Sequence, residues 1–413
     1  MTTLTSTAPI VSPGHTKRRR ASRGHVVDVV RTTAGIPGCV PPWLALRDRL
    51  GVTAPDSSPW RVGVVIEQRS DRARPHLVRV SEGDRVVGML IGRVTWERPS
   101  VRIGYAGLPM PRLRRLEILH GGLLVDGEGE VSNAILGHLA CVLGAGEVDL
   151  VTARYLDANH PVAAALERRL ASIARLETST EAHWRLRIGE AGEPVEHRSS
   201  KTRSTFRRKE RRLEASFETV RVEACRYADD VPRFLARAES IAATTYHAGL
   251  GAGVRDDGLW QAVVMSMAAA GCLRAHVLIG DGVPLAYCFG SVESDTYTLE
   301  ATGFNGAFAR LSPGLVLQQR LERSLRDEGV SWIDFGFGDA DYKQRRGSHV
   351  GQDLTIEAYA RHTWPTLGWL IDRGARCTDA FARGILARTG RLDAVRHRWR
   401  NRLAAPRNQG ATT

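Results

Sequence analysis

The sequence repeats one plan of extended and helical segments, and this internal repeat limits the folds open to the chain. The second copy contains "CLRAHVLIGDGVPLAYCFGSV", where two strand-like runs flank an Asp-Gly pair, a strong hairpin signal. The first copy contains "HLVRVSEGDRVVGMLIGRV", with its turn at Gly83-Asp84. In both copies the hairpin is followed by another extended segment, a long helix and a short strand that ends in an acidic loop. The pattern predicts two related α+β modules.

Composition divides the chain into four regions. Residues 1–38 are predicted to be a disordered, basic tail, because they are polar and lack the apolar core of a secretory signal. Residues 39–190 form the predicted first module, and residues 191–355 the second. The stretch "GEAGEPVEHRSSKTRS" between them has the Gly, Pro and Ser content of a linker. Residues 356–413 are predicted to be a helical C-terminal extension.

The chain carries a formal net charge of +13 and has a pI near 10. Such a charge indicates an anionic partner, such as phosphates, nucleic acid or an acidic membrane surface. A GC-rich coding sequence also enriches arginine, alanine and glycine, so charge alone does not decide between these explanations. A basic helix at 198–217 could attract a phosphorylated cofactor or RNA, although solvation is the usual fate of such a run.

The six cysteines are widely separated and form no Cys-x-x-Cys or Cys/His cluster. This spacing argues against structural zinc and a disulfide framework, and it fits a reducing compartment. We therefore expect a cytoplasmic protein. No apolar run approaches the roughly 20 residues that a membrane helix needs, so we expect no membrane span.

The segment "FARLSPGLVLQQRLERSLRDEG" begins a helix with Ser312, Pro313 and Gly314. Serine suits the N-cap, proline the first turn, and glycine lets a ligand approach the backbone. A helix N-terminus can hold phosphate, and Arg310 could add a charged hydrogen bond. An ordinary capped helix remains the alternative. The corresponding helix of the first module begins with acidic residues, so only the second module suits an anion.

Two further segments carry candidate chemistry. In "TYTLEATG", Glu300 lies among threonines on one strand face and could accept a proton, or it could be an ordinary sheet glutamate. In "SWIDFGFGDADYKQRRG", a buried strand ends in a loop with Asp339 and Asp341. Neighbouring cations disfavour a metal there. The aspartates could instead position Tyr342 and the cations against a substrate, or belong to a surface salt-bridge cluster. The lysine of this loop, Lys343, is one of only four in the chain.

Together these segments resemble a known family. The basic "KTRSTFRRKERRLE" helix, the hairpin ending "VPLAYCFGSV", and the run from "FARLSPGL" through "DADYKQRRG" are similar to GNAT-superfamily acyltransferases of the cellulose-biosynthesis (CelD/BcsL) type. These are in turn similar to Fem-type aminoacyltransferases, which also use a tandem GNAT fold. The resemblance covers roughly residues 40–350. It implies mixed, mostly antiparallel sheets flanked by helices in two GNAT-like modules.

The resemblance also implies an N-acyltransferase that uses acyl-CoA, usually acetyl-CoA, as co-substrate and no metal. GNAT enzymes bind the CoA pyrophosphate with an Arg-x-x-Gly-x-Gly/Ala turn. The candidate residues for this turn here are Arg310, Ser312, Gly314 and Leu315, and they match the pattern only in part. Arg346 stands where the family usually has an aromatic residue after Tyr-Lys-x-Arg.

Within this reaction an amine attacks a thioester, which requires a base, an acid for the thiolate and groups that stabilise the oxyanion. Glu300 is the candidate base, Tyr342 the acid and Lys343 the stabilising cation, with Asp341 beside them. Candidate acceptor-binding residues are Asp339, Arg345 and His247, the last in the Gly-rich stretch "TTYHAGLGAG".

The expected acceptor is a small amine, an amino sugar or a cell-envelope precursor. Two alternatives stay open. One is a Fem-like transferase that uses aminoacyl-tRNA, and the other is a non-catalytic nucleic-acid-binding protein on a GNAT frame.

Overall fold

The computed structural model describes residues 19–20, 25–68, 72–104, 106–126, 129–189, 199–243, 254, 258–338 and 340–388. The strands are β1 Arg19–Arg20, β2 His25–Val30, β3 Ala73–Glu82, β4 Arg85–Glu97, β5 Val101–Ile103, β6 Ala106–Leu108, β7 Leu113–Leu124, β8 Leu150–Asp157, β9 Arg175–Arg187, β10 Val220–Cys225, β11 Leu273–Gly280, β12 Val283–Glu293, β13 Thr296–Phe304, β14 Trp332–Phe337 and β15 His349–Tyr359. The α-helices are α1 Val40–Leu50, α2 Pro59–Glu67, α3 Glu130–Gly144, α4 Ala163–Ile173, α5 Ser200–Glu214, α6 Val231–Ala242, α7 Gly258–Ala269, α8 Pro313–Asp327, α9 Asp341–Arg346 and α10 Thr363–Arg388.

Both predicted hairpins are present, and their turns explain why. Asp281 and Gly282 have φ angles of 47° and 82°, as a two-residue turn with both central residues left-handed requires. In the other hairpin Gly83 has a φ of 58°. These turns set the β11–β12 and β3–β4 registers, and each hairpin leads into the next strand of its own half.

In the described part of the chain, one 13-stranded sheet runs through both halves. Its strand order is β1-β2-β3-β4-β7-β8-β15-β9-β14-β13-β12-β11-β10. Neighbours pair antiparallel except β7 with β8 and β13 with β14, which pair parallel. The prediction of mixed, mostly antiparallel strands flanked by helices is thus confirmed, and the two halves share a continuous sheet.

The two halves are joined by an exchange of strands. β9 follows the first half in the chain, yet it pairs with β14 of the second half. β15 follows the second half, yet it pairs with β8 of the first. The exchanged strands pair with each other along the whole of β15, from His349 to Tyr359. The centre of the sheet is therefore built from both halves.

Helices cover both faces of the sheet and form its cores. α3 and α4 pack over the first half with Leu139 and Leu166 fully buried. α8 packs over the second half through Val316 and Leu325, while α6 and α7 cover the opposite face there. Each described helix is too short or too polar to cross a bilayer.

Two predicted boundaries need correction. The predicted disordered tail over residues 1–38 includes β2, whose Val27, Val29 and Val30 are buried, because the strand pairs with β3 at the sheet edge. Residues 1–18 and 21–24 of the tail lie outside the described residues. The helical extension predicted from residue 356 begins only at Thr363, because β15 continues to Tyr359. Residues 389–413 are outside the described ranges as well.

Candidate active site

The candidate site is a cavity where β13 and β14 diverge. These parallel strands pair only from Thr296 to Thr298 and from Trp332 to Asp334, and beyond that they separate. A cavity of about 280 Å³ fills the gap. Its lining residues are Pro55, Asp56, Arg61, His120, Thr298, Leu299, Glu300, Ala301, Thr302, Asp334, Phe335, Gly336, Phe337, Tyr342 and Lys343. Three of the predicted catalytic residues, Glu300, Tyr342 and Lys343, are thus brought together.

A β-bulge presents Glu300 to this cavity. Phe289 pairs with Ala301 and Gly290 with Leu299, so Glu300 is the extra residue on β13. Its carboxylate Oε1 accepts a hydrogen bond of 2.5 Å from Nη1 of Arg61. Burial raises the pKa of Glu300, and the Arg61 guanidinium opposes that shift. Glu300 is therefore held in an ion pair with 10% of its side chain exposed, and its role as base stays a prediction.

The first half contributes the facing wall of the cavity. Arg61 lies on α2, and its Nε contacts Asp56 of the 3₁₀ turn Pro55–Ser57 at 3.0 Å. The 3₁₀ turn and the start of α2 also contact the second half at Glu293. This carboxylate accepts hydrogen bonds from the side chains of Ser58, Trp60 and Arg47. The cavity is therefore closed by residues more than 200 positions away in the sequence.

On the β14 side, a histidine lies between two carboxylates. His183 of β9 contacts Asp334 through Nε2 and Asp353 of β15 through Nδ1, both at 2.7 Å. Burial alone would lower the pKa of His183, but the two carboxylates outweigh it and raise the pKa to about 9. The Gly336 amide also donates to Asp334 Oδ1, at 2.6 Å. A protonated His183 thus joins the two exchanged strands to the cavity wall.

Tyr342 and Lys343 reach the cavity from α9. Lys343 is 8% exposed, and its Nζ donates to the Phe337 carbonyl at 2.5 Å. Burial lowers the pKa of Lys343. Tyr342 is 39% exposed and meets the ring of Phe335 edge-on.

Arg346 fixes this short helix in place. It is buried and forms an ion pair with Glu322 of α8, which explains an arginine at the position that is aromatic in the resembling family.

The other predicted residues fall outside this cavity lining. Arg345 is exposed on α9. Asp339 and His247 lie outside the described residues, as does the side chain of Asp341. Their predicted roles stay predictions.

The predicted donor-binding residues lie at the entrance to α8, beyond the end of β13. Arg310 is exposed, and Ser312 precedes the helix with a left-handed φ of 55°. The Ser312 side chain makes no capping hydrogen bond. Gly314 lies in the first turn of α8, where backbone amides lack partners within the helix. A Cβ on Gly314 would lie 3.5 Å from Phe304, in ordinary contact. The unpaired helix start can accept an anion such as a pyrophosphate.

Sequence reasoning missed Asp56, Arg61, His120, His183 and Asp334. Four of them lie in the first half or on β9, and only the fold brings them to β13 and β14. A local signal existed for His120 alone, because the Gly-Gly pair that follows it interrupts a strand-like run. In the described residues no group of three or more His, Cys, Asp or Glu side chains is arranged to hold a metal ion.

Comparison with known proteins agrees with this architecture. Residues 200–344 match a family model described as an acetyltransferase (GNAT) domain. No curated protein matches the chain.

The comparison with solved structures gives three examples of similar chains. The first is a conserved protein of unknown function from Bacteroides thetaiotaomicron, with a TM-score of 0.50, 9% identity and coverage of 79% of this chain and 97% of that one. The second is FemX, with a TM-score of 0.50, 12% identity and coverage of 74% and 92%. The third is a tandem GNAT protein from the clavulanic acid biosynthesis pathway, with a TM-score of 0.46, 14% identity and coverage of 82% and 100%.

The family match covers α5 through most of α9, which includes β13, β14 and the start of α8. The family match therefore lies within the second half, where it describes a GNAT acetyltransferase domain. The prediction that the chain is an acyltransferase enzyme is confirmed.

Proposed function

We propose that the protein transfers an acyl group, in the simplest case acetyl, from acyl-CoA to an amine of a small molecule, an amino sugar or a cell-envelope precursor. The observation that carries this proposal is the meeting of Glu300, Tyr342 and Lys343 in one cavity where β13 and β14 diverge. The start of α8 follows the same β13, so an anionic donor held there can extend its acyl end between the strands. The resemblance to CelD/BcsL-type enzymes supports the acceptor class.

The cavity residues suit the three requirements of aminolysis. The carboxylates Asp56 and Glu300 attract the ammonium form of an acceptor. Glu300 is the sequence-predicted base, and because Oε1 is bound to Arg61 that role needs its second oxygen. In this proposal Tyr342 protonates the leaving thiolate, and Lys343 stabilises negative charge on the acyl oxygen. A cytoplasmic location, where acyl-CoA is available, belongs to the same proposal.

A Fem-like transfer from aminoacyl-tRNA is the second candidate, and α5 is the observation that favours it. This helix packs against α8 through Glu210 and Glu214, which pair with Arg320 and Arg323. Its exposed cations are Lys201, Arg203, Arg207, Arg208, Arg211 and Arg212. A cationic helix beside the donor helix suits a polyanionic donor.

Thermal shift and turnover separate the two donors. The purified protein is mixed with acetyl-CoA or with tRNA at increasing salt, and thiol release from acetyl-CoA is followed with a panel of amines that includes glucosamine. Acetyl-CoA use requires stabilisation that survives moderate salt and amine-dependent thiol release. Steeply salt-dependent tRNA binding without an acetyl-CoA effect supports the Fem-like reaction instead. Unchanged turnover in both Tyr342→Phe and Lys343→Ala would show that this cavity is not the active site.

A further inference from the structure

His120 occupies a distorted part of β7 at the wall of the active-site cavity. Leu90 pairs with Leu123 and Gly92 with Ile118, so the segment from Leu119 to Gly122 bulges out of the β4–β7 ladder. The bulge requires the two glycines that follow the histidine. Gly121 has a φ of 67°, and a Cβ on Gly122 would lie 2.5 Å from the Ile91 carbonyl oxygen. The distortion pushes the His120 side chain towards the second half.

The imidazole of His120 lies among the cavity groups without a hydrogen bond to any of them. Its ring meets Phe337 edge-on with centroids 4.9 Å apart, and the centroid of His183 is 6.1 Å away. Within the part of the chain that the structure describes, neither ring nitrogen has a protein hydrogen-bond partner. Both are free for a ligand in the cavity.

We propose that His120 is the proton acceptor for the attacking amine, which places the general base of the reaction on the first half of the chain. The inference rests on the proposed acyl transfer at this cavity. In this assignment the second half binds the acyl donor, and the first half activates the acceptor amine.

The other candidate bases are engaged. Burial raises the pKa of Glu300, but its Oε1 already accepts a hydrogen bond of 2.5 Å from Arg61, so this oxygen is not open to the acceptor. Both ring nitrogens of His183 are hydrogen-bonded to carboxylates, so this histidine cannot accept a further proton. His120 differs from both because burial lowers its pKa, so its imidazole is neutral near pH 7.

The charged and titratable groups around His120 come from seven elements and include both signs. They are Asp56 before α2, Asp334 on β14, His183 on β9, Asp353 on β15, and Arg61, Glu300, Tyr342 and Lys343 along the cavity. Asp56 and Asp334 favour the imidazolium once it forms, whereas burial and His183 oppose it. A ring placed in this way can take up a proton and release it again.

The proton balance closes without a further reagent. His120 takes a proton from the acceptor ammonium, and the freed amine nitrogen attacks the thioester carbonyl. The new C–N bond forms, the C–S bond breaks, and the thiolate takes a proton from Tyr342. Loss of the second nitrogen proton gives the amide and restores Tyr342 through solvent, and the His120 imidazolium returns its proton to water.

The pH dependence of kcat/KM tests this assignment. With His120 as base the enzyme acts on the protonated amine, so its activity reaches a plateau below the pKa of the acceptor amine. In His120→Asn only the free amine reacts, so kcat/KM should fall by about 10²–10⁴ near pH 7 and rise with pH towards the pKa of the amine. The assay uses acetyl-CoA and the best amine of the panel. Glu300→Gln should keep the plateau at a lower level.

His362→Asn is the matched control, because this exposed histidine lies outside the cavity, and it should behave as wild type. His120→Gln is measured beside His120→Asn, with thermal melts of both, so that a folding defect in one variant does not decide the outcome. A plateau retained in a folded His120 variant at near wild-type kcat/KM overturns the assignment and leaves the proposed function intact. Absence of thiol release in the wild type with every amine overturns the proposed function itself.

Discussion

His183 shows how one residue connects the exchanged strands to the active-site wall. It lies on β9, contacts Asp353 of β15, and contacts Asp334 where β14 begins to diverge from β13. Asp334 in turn accepts a hydrogen bond from the Gly336 amide. The position of the Phe337 carbonyl, and hence of the Lys343 ammonium, therefore depends on this histidine.

The His183 ion pair makes stability depend on pH in a defined direction. Its folded-state pKa of about 9 lies above the ordinary value of 6.5, so the ion pair stabilises the fold fully below about pH 6.5 and stops doing so as the pH rises through 9. His183→Asn leaves two buried carboxylates without their cation, and we expect it to lower the free energy of unfolding by about 3–5 kcal/mol at pH 6.5.

Urea denaturation of wild type and His183→Asn between pH 6 and 10 measures this effect. The difference in free energy of unfolding should shrink as the pH approaches 10. His362→Asn is the control and should show no such trend. A difference that stays constant over this range would mean that His183 is neutral in the folded protein.

Lys343 is a second residue whose type matters. Lys343 is buried, and its Nζ donates a hydrogen bond to the Phe337 carbonyl at the cavity wall. A guanidinium is larger and planar, and it does not replace a compact cation there. We expect Lys343→Met to lower kcat by about 10²-fold and Lys343→Arg not to restore it. Lys201→Met, on the exposed face of α5, should be silent in the same thiol-release assay.

At the scale of single elements, the bulge on β13 depends on a glycine in the neighbouring strand. Gly290 of β12 lies opposite Leu299, beside the extra residue Glu300. A Cβ on Gly290 would lie 1.9 Å from the Thr298 carbonyl oxygen, a backbone atom that cannot rotate away. The close approach of these two strands therefore requires glycine at this position.

Gly290→Ala tests this requirement. We expect it to lower the free energy of unfolding by about 1–3 kcal/mol or more, because the added methyl forces the backbones of β12 and β13 apart. Gly137→Ala within α3 is the matched control. A Cβ there meets nothing within 4 Å, and alanine should stabilise the helix by about 0.5–1 kcal/mol. Chemical denaturation of both variants provides the comparison, and equal stability of Gly290→Ala and wild type would contradict the argument.

Elements held by local chemistry were predictable from the sequence, and the bulges were not. The Asp281-Gly282 turn and the proline at the start of α8 are local signals, and both led to correct elements. The position of Glu300 at the cavity depends instead on the pairing of β13 with β12, and that of His120 on the pairing of β7 with β4. A periodicity argument assumes regular pleating and cannot locate an inserted residue.

At the scale of the whole molecule, the sequence predicted a repeat and the structure adds an exchange. The order β2-β3-β4-β7-β8 in one half of the sheet corresponds to β10-β11-β12-β13-β14 in the other, and each ends in a parallel pair. The strand that completes each half comes from the other one, and no local pattern in β9 or β15 indicates which neighbours they take. Arg61 and His120 were not predicted as site residues for the same reason. They contact the second half only because the exchanged strands join the two halves in one sheet.

The exchange predicts that the two halves unfold as one unit even when the chain between them is cut. β9 ends at Arg187 and α5 begins at Ser200, so a protease site can be placed within residues 190–198 without altering either element. After cleavage, the first fragment still supplies β9, which pairs with both β14 and β15 of the second. Separation of the fragments would break these strand pairings and leave His183, Asp334 and Asp353 without their partners. The free energy required is therefore far above that of separating two domains in ordinary contact.

We therefore expect the cleaved protein to elute as a single species in gel filtration and to melt in one transition close to that of the intact chain. A variant with a weaker contact between the two halves tests this further. His183→Asn weakens the contact between the exchanged strands, β9 and β15. The cleaved variant should melt at a lower temperature than the cleaved wild type, by more than the same substitution lowers the melting temperature of the intact chain. Two independently eluting fragments with separate transitions would mean that each half completes its own sheet in solution.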